Sequence, residues 1–328
     1  MDILSKRKIG KNLKIGMIFP GQGSQFLGMG KEFYDNERIV QEQFEVAASC
    51  LNENFVKLCF SSSEEMLRGT IPTQTAIFLV SSSIYLLLRE KYGIVPNMVA
   101  GHSLGEYTAV FAAGGMNYPD TLYLLKKRAV FMEETMKGQR GGLLAVLGLT
   151  EETVKRICDQ YDCPGSNDSV LELANYNSPS QFVIAGTLDE LKAVKADVEV
   201  MRGKAQFLPV AGAFHSRMLR RTEELFAQYL LKVDFKPLQI PLVNNVMAEI
   251  ISSPSEIKLS LVKQTSSHIY WWASMERFAD YDILIETGPN NKFGKILKRE
   301  WPEKPIFSIN SQSDIEELLK KIKELEGK

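Results

Sequence analysis

The chain has 328 residues, of which 45% are hydrophobic and 24% charged, with a formal net charge of -1. That length exceeds one average domain, and that composition belongs to an ordinary globule able to bury a large core without disulfides or metals. The near-zero balance excludes a global electrostatic footprint for nucleic acid, and none is expected as a partner.

The opening residues 1–12 are polar and basic and lack the apolar run of a secretory signal. Residues 14–19 read as a short buried strand, followed by the glycine-rich loop Pro20-Gly21-Gln22-Gly23-Ser24. Residues 35–59 are mostly helical, and residues 73–92 form a strongly apolar helix stopped at Gly93. The most apolar part of that helix, residues 76–88, is too short to span a bilayer and contains serines, so no membrane is expected. A strand at 98–100, a small-residue helix at 104–114 and a helix at 120–136 follow. The character then changes. Strand 141–149, helix 151–161, strands 171–176 and 181–185, helix 188–200 and strand 205–210 give the order β-α-β-β-α-β, the split-βαβ signature of a ferredoxin-like unit. We therefore read residues 138–206 as an inserted subdomain of an α/β protein whose larger domain comprises 1–137 and 207–328. That domain resumes with a strand pair around 241–246, a helix at 255–265, a strand at 282–286 and a helical tail.

Gly101-His102-Ser103-Leu104-Gly105 matches G-x-S-x-G between a strand and a helix, the context that motif requires. Glycines let the chain turn sharply there and hold the serine in a crowded conformation. The turn lifts the Ser103 hydroxyl and directs the Leu104 amide and the positive helix end to the same point, where an oxyanion would form. A serine needs a base to become nucleophilic. Of three histidines, His102 is adjacent to Ser103 and its side chain should point away, which favours a structural role. His215, in Gly212-Ala213-Phe214-His215-Ser216, follows a strand and is the candidate base. No acidic third member is apparent; a carbonyl oxygen would serve equally to fix the imidazole tautomer.

Around these loops the chain resembles the malonyl-CoA:acyl carrier protein transacylase family and, more broadly, the acyltransferase domains of fatty-acid and polyketide synthases. Phe19-Pro20-Gly21-Gln22-Gly23-Ser24-Gln25, Gly101 to Tyr107, Ala174-Asn175-Tyr176-Asn177-Ser178-Pro179 and Ala213-Phe214-His215-Ser216 carry the resemblance, in the family's order over most of the chain. It implies an α/β-hydrolase-like large domain with a ferredoxin-like insert. It also implies Ser103 as the acylated nucleophile, His215 as its base, and Gln22 beside Leu104 in the oxyanion hole. Arg128 would bind the malonyl carboxylate, Gln264 would orient His215 through a carbonyl, and Phe214 resembles the malonyl-selective form. A guanidinium fork suits a carboxylate independently of the resemblance, although Lys126-Lys127-Arg128 by itself reads as an exposed basic run.

The implied substrate is malonyl-CoA and the implied partner an acyl carrier protein, with no cofactor and no metal. Cys50, Cys59, Cys158 and Cys163 form no C-x-x-C pair and have no histidine at zinc spacing; they read as free thiols of a reducing compartment, the cytoplasm. An acidic carrier protein would dock on Arg217, Arg220 and Arg221, or on Lys292, Lys295, Lys298 and Arg299, both equally readable as solvated faces. The glycines at 21, 23, 28 and 30 lack dinucleotide-loop spacing. The sequence departs from the family at Gly288-Pro289-Asn290-Asn291, where Asn tolerates the left-handed turn, and at His268-Ile269-Tyr270-Trp271, which weakens the Gln264 assignment and leaves His268 as a surface or structural residue. Competing readings are a serine hydrolase acting on acylated carriers, a trans-acting polyketide-synthase acyltransferase using another extender unit, and a non-catalytic carrier-binding protein.

Overall fold

The structure, a computed structural model, describes residues 3–6, 9–166 and 169–327; residues 1, 2, 7 and 8 of the polar opening lie outside the described residues, as do 167, 168 and 328. In chain order the strands are β1 (Ile15–Phe19), β2 (Met98–Gly101), β3 (Gly141–Leu147), β4 (Leu171–Ser178), β5 (Gln181–Thr187), β6 (Lys204–Phe207), β7 (Leu242–Val243), β8 (Ile250–Ile251), β9 (Ile283–Thr287) and β10 (Ile306–Ile309).

Six of them form one sheet in the order β10-β9-β1-β2-β7-β8, parallel except for β8. β1, β2 and β9 are buried at every residue. Strands covered on both faces need continuous apolar runs rather than alternation, as Ile15-Gly16-Met17-Ile18-Phe19 supplies. The register sets Phe19 beside Gly101 and Ile18 beside Glu286, so the carboxyl ends of β1, β2 and β9 finish together. The loops that leave them are therefore neighbours, which is where open α/β sheets place ligands.

The helix Thr70–Glu90 is apolar around its circumference and is the one described helix long and apolar enough to cross a membrane; 83% of its most apolar stretch is buried inside the protein. Two serines within it turn their hydroxyls back to carbonyls, Ser82 to Phe78 at 2.6 Å and Ser83 to Leu79 at 2.7 Å, so their burial leaves no unpaired hydroxyl.

The remaining strands form an antiparallel sheet, β4-β5-β3-β6. Its residues alternate between two cores. Leu144, Val146 and Ile184 meet the helices Glu151–Tyr161 and Leu188–Val200. Leu143 and Val183 face the helix Tyr118–Met136 and the Phe214 loop. This second face is the one that helps to wall the site.

Three expectations need correction. The strand expected at 205–210 ends at Phe207, because Pro209 has no N–H to continue the ladder; it is an edge of the antiparallel sheet, so His215 does not follow a strand of the parallel sheet. The pair expected around 241–246 extends further along the chain: β7 is only Leu242–Val243 and its partner is β8 at Ile250–Ile251, with the Asn244 N–H donating to the Glu249 carbonyl at 2.9 Å and Asn245 turning away to Ser103 and Gly101. The tail is not wholly helical: β10 lies between the helices Lys292–Glu300 and Gln312–Glu326 and extends the parallel sheet beside β9. The helices Arg220–Leu230 and Trp271–Glu276 were not anticipated.

Candidate active site

β2 ends at Gly101 and the helix Leu104–Ala112 starts three residues later, so His102 and Ser103 make the whole turn. A Cβ on Gly105 would lie 2.3 Å from the Phe19 carbonyl oxygen, and one on Gly101 would lie 2.0 Å from the Gly105 carbonyl carbon. Only glycine permits that approach. Ser103 has φ 54 and ψ -114, a conformation that persists only where the surroundings hold it. Asn245 is part of that hold: its Oδ1 accepts from the Ser103 amide at 2.8 Å and its Nδ2 donates to the Gly101 carbonyl at 2.7 Å.

His215 reaches the same point from the loop before the helix Arg220–Leu230. Its Nε2 lies 2.8 Å from Ser103 Oγ and its Nδ1 lies 2.9 Å from the Gln264 carbonyl oxygen. A carbonyl only accepts, so Nδ1 carries the proton and Nε2 is left to accept from the serine hydroxyl. Burial first, then the charge of Arg128, pulls the His215 pKa down to about 3, against the opposing Gln264 bond. The imidazole is therefore neutral over the whole physiological range.

Arg128 belongs to no exposed run: it is 1% exposed, on the inner face of the helix Tyr118–Met136. Its Nη1 donates to Gln74 Oε1 at 2.8 Å, and its Nη2 donates to Ser103 Oγ at 3.0 Å and to Gln264 Oε1 at 3.1 Å. Its Nε has no partner among the described residues, and every partner it does have is neutral. A buried cation held only by neutral groups is costly unless an anion visits it.

These side chains open into a cavity of about 340 Å³. Gln22, Leu104 and Phe214 line it, together with Asn175, Asn177, Leu143 and Val183. Neither the Gln22 nor the Leu104 amide donates to another described residue, so both remain available as donors. Among the described residues three cations line the cavity, Arg68, Arg128 and Lys292, and no carboxylate does, which favours an anionic guest.

His102 directs its Nε2 toward Asn177 Oδ1 and Asn175 Nδ2, both at 3.1 Å, and stacks on Phe293 with ring centroids 4.7 Å apart. Burial, followed by the charges of Lys292 and His215, holds it well below the usual histidine range. His268 is half-buried, edge-on to Tyr270, and its Nδ1 has no partner among the described residues. Asn290 has φ 68, so an asparagine holds the left-handed position of the turn at Gly288-Pro289-Asn290-Asn291.

The two basic clusters separate. Arg217 is committed to Asp162 at 2.7 Å and Glu172 at 2.6 Å with its side chain 10% exposed, and is no free docking charge. Lys292 turns into the cavity above the Phe293 ring rather than onto the surface. Sequence reasoning missed Gln74, Asn245, Lys292 and the part of Glu106. Gln74 and Asn245 are neutral amides outside every motif, and nothing local marks them. Glu106 and Lys292 were in view, the first as part of the Gly101–Tyr107 match and the second as a surface charge.

Residues 17–283 match the acyl transferase domain family, and the chain belongs to it. It is 31% identical to the malonyl CoA-acyl carrier protein transacylase of Bacillus subtilis strain 168, over 95% of this chain and 98% of that one. It is 30% identical to the transacylase of the same name from Escherichia coli K12, over 87% of this chain and 92% of the relative. Among solved structures, FabD of Acinetobacter baumannii superposes with a TM-score of 0.89 at 31% identity, covering 94% of this chain and 98% of that one. A malonyl-transacylase solved in complex with its type II polyketide acyl-carrier protein gives 0.87 at 29% identity, covering 92% and 97%.

Proposed function

We propose that this protein moves malonyl groups from malonyl-CoA to the phosphopantetheine thiol of an acyl carrier protein through an ester on Ser103. The reading rests above all on Arg128: a buried guanidinium without an acidic partner, bonded to the oxygen of the serine at the foot of an elbow. A malonyl group on that serine carries its carboxylate where the guanidinium fork can take it.

In the first half-reaction the Ser103 hydroxyl gives its proton to His215 Nε2 as Oγ bonds to the thioester carbon. The carbonyl oxygen becomes an oxyanion facing the Gln22 and Leu104 amides. The C–S bond then breaks, the proton on Nε2 passes to the departing sulfur, and CoA leaves as a thiol. In the second half, the carrier thiol gives its proton to His215 and its sulfur attacks the seryl ester. The C–O bond breaks and Oγ takes the proton back. Atoms and charges balance without a redox partner or a metal.

Gln264 keeps the imidazole in the tautomer these steps need, and Phe214 walls the acyl pocket where a branching methyl would lie. Such a methyl is worth only about 1–3 kcal/mol of discrimination. Malonyl transfer is also what the relatives' names describe, and the solved carrier complex supports an acyl carrier protein as acceptor. The cytoplasm is the compartment we assign, with Cys50, Cys59, Cys158 and Cys163 all free thiols.

Mass spectrometry of the intact protein tests the reading. Malonyl-CoA should add one malonyl mass to the wild type and none to Ser103→Ala, and the adduct should discharge to holo carrier protein faster than to water. A malonylated Ser103→Ala protein removes Ser103 from the mechanism, and discharge mainly to water makes the enzyme a hydrolase.

A further inference from the structure

Glu106 takes no part in the steps above, yet it is fully buried in the first turn of the helix that follows Ser103. It does not line the cavity and makes no ion pair with Arg128. Its Oε1 accepts from Ser260 Oγ at 2.7 Å, and its Oε2 accepts from Gln264 Nε2 at 2.6 Å and from the Asn245 amide at 3.3 Å.

The Gln264 side chain thus stands between Glu106 and Arg128. Its Nε2 faces Glu106 and the Ser103 carbonyl, at 2.6 and 3.0 Å, and its Oε1 faces Arg128 Nη2 at 3.1 Å. Turned the other way, the amide would set oxygen against two oxygens and N–H against a guanidinium, so the contacts themselves fix its orientation. Glu106 is also the carboxyl whose charge favours the charged form of Arg128.

A direct Arg128–Glu ion pair would fill the guanidinium fork, and the substrate would have to break it. No counter-charge at all would leave a bare cation in the core. A carboxylate placed behind one amide avoids both. We infer that Glu106 is the counter-charge of Arg128 held at one residue's remove, a positioning residue that offsets the buried guanidinium charge through Gln264 while leaving the direct anion position beside the guanidinium to the substrate carboxylate. This rests on the reading that Arg128 binds the malonyl carboxylate.

The sign of the effect follows. With Glu106 ionised, it and Arg128 together carry no net charge when the site is empty, and an added malonyl carboxylate then meets the Glu106 charge through the low-dielectric interior. Removing that charge should tighten malonyl binding. Glu106→Gln is suited to the test, because its carbonyl oxygen can accept from Gln264 and Asn245 while its NH2 donates to Ser260. Burial raises the Glu106 carboxyl to about 7 against its three donors, so the comparison belongs at about pH 8.5, where it is ionised. Arg128 is the charged group that acts on it, while burial keeps the neighbouring Tyr107 neutral.

Calorimetric binding of malonyl-CoA and acetyl-CoA, in a Ser103→Ala background that blocks turnover, reads the effect. Glu106→Gln should lower the Kd for malonyl-CoA about threefold or more and leave that for acetyl-CoA unchanged. An unchanged or weaker malonyl-CoA affinity, or an equal shift for acetyl-CoA, overturns the inference. If Glu106→Gln does not fold, proton uptake measured with Glu106 in place decides. Near pH 7.5, malonyl-CoA binding should take up more protons than acetyl-CoA binding, since the new anion pushes the Glu106 carboxyl further up; equal uptake overturns the inference. Loss of malonyl preference in Arg128→Ala is a separate result, so the two readings fail independently.

Discussion

Replacing Arg128 by alanine removes the one guanidinium within bonding distance of Ser103 Oγ and leaves the other contacts of the elbow in place. Each charge-assisted hydrogen bond to the malonyl carboxylate is worth about 1.5–3 kcal/mol, so two parallel bonds contribute about 3–6 kcal/mol. At about 1.4 kcal/mol per decade, kcat/KM for malonyl-CoA should fall on the order of 10²–10⁴-fold. Acetyl-CoA has no carboxylate and loses only the polarisation of Ser103 Oγ, so its kcat/KM should fall about tenfold at most. The malonyl-to-acetyl ratio, measured by acyl-enzyme formation with each thioester, therefore drops by at least about one order of magnitude. Folding should survive. Gln74 Oε1 and Gln264 Oε1 each lose a donor, at about 1 kcal/mol apiece, while a buried cation without an acidic partner is removed. A folded Arg128→Ala enzyme with an unchanged ratio would refute the carboxylate role of Arg128.

Gly105→Ala forces a Cβ to within 2.3 Å of the Phe19 carbonyl oxygen, so the elbow or β1 must move. A loss of about 3 kcal/mol or more is expected, read as a lowered melting temperature together with loss of acyl-enzyme; an unaltered melting curve refutes the close packing. The histidine yields a pH test. Because burial takes the His215 pKa down to about 3, the rate of acyl-enzyme formation should show no His215 inflection near 6.5. The folded pKa lies below the unfolded one. The unfolded chain therefore binds the extra proton first, and the His215 contribution to stability is present above about pH 6.5 and lost as pH falls toward 3. His215→Gln should accordingly lose less stability than the wild type between pH 6.5 and 4 in chemical denaturation, and equal losses would refute the depressed pKa.

Much of the site is legible in local pattern. The elbow shows itself because Gly101 and Gly105 are demanded by backbone contacts within and beside a single turn. The ferredoxin-like unit shows itself because hydrophobic period and turn residues alternate at regular spacing. Gln264 was carried only by resemblance, and its carbonyl does meet His215 at 2.9 Å. β10 escaped notice because Ile306–Ile309 is four residues between two helices, and only its place beside β9 makes it a strand.

What the sequence by itself determined is the turn that presents Ser103 and the proposal of His215 as its partner, since these depend on residue type and near neighbours along the chain. Tertiary structure alone decided the charge state and surroundings of those groups. Arg128 follows two lysines and reads as a surface charge. It becomes a buried cation because the helix Tyr118–Met136 turns that one face toward Gln74, Ser103 and Gln264, from three distant parts of the chain. Burial and electrostatic partners are properties of packing, and no local run of residues encodes them.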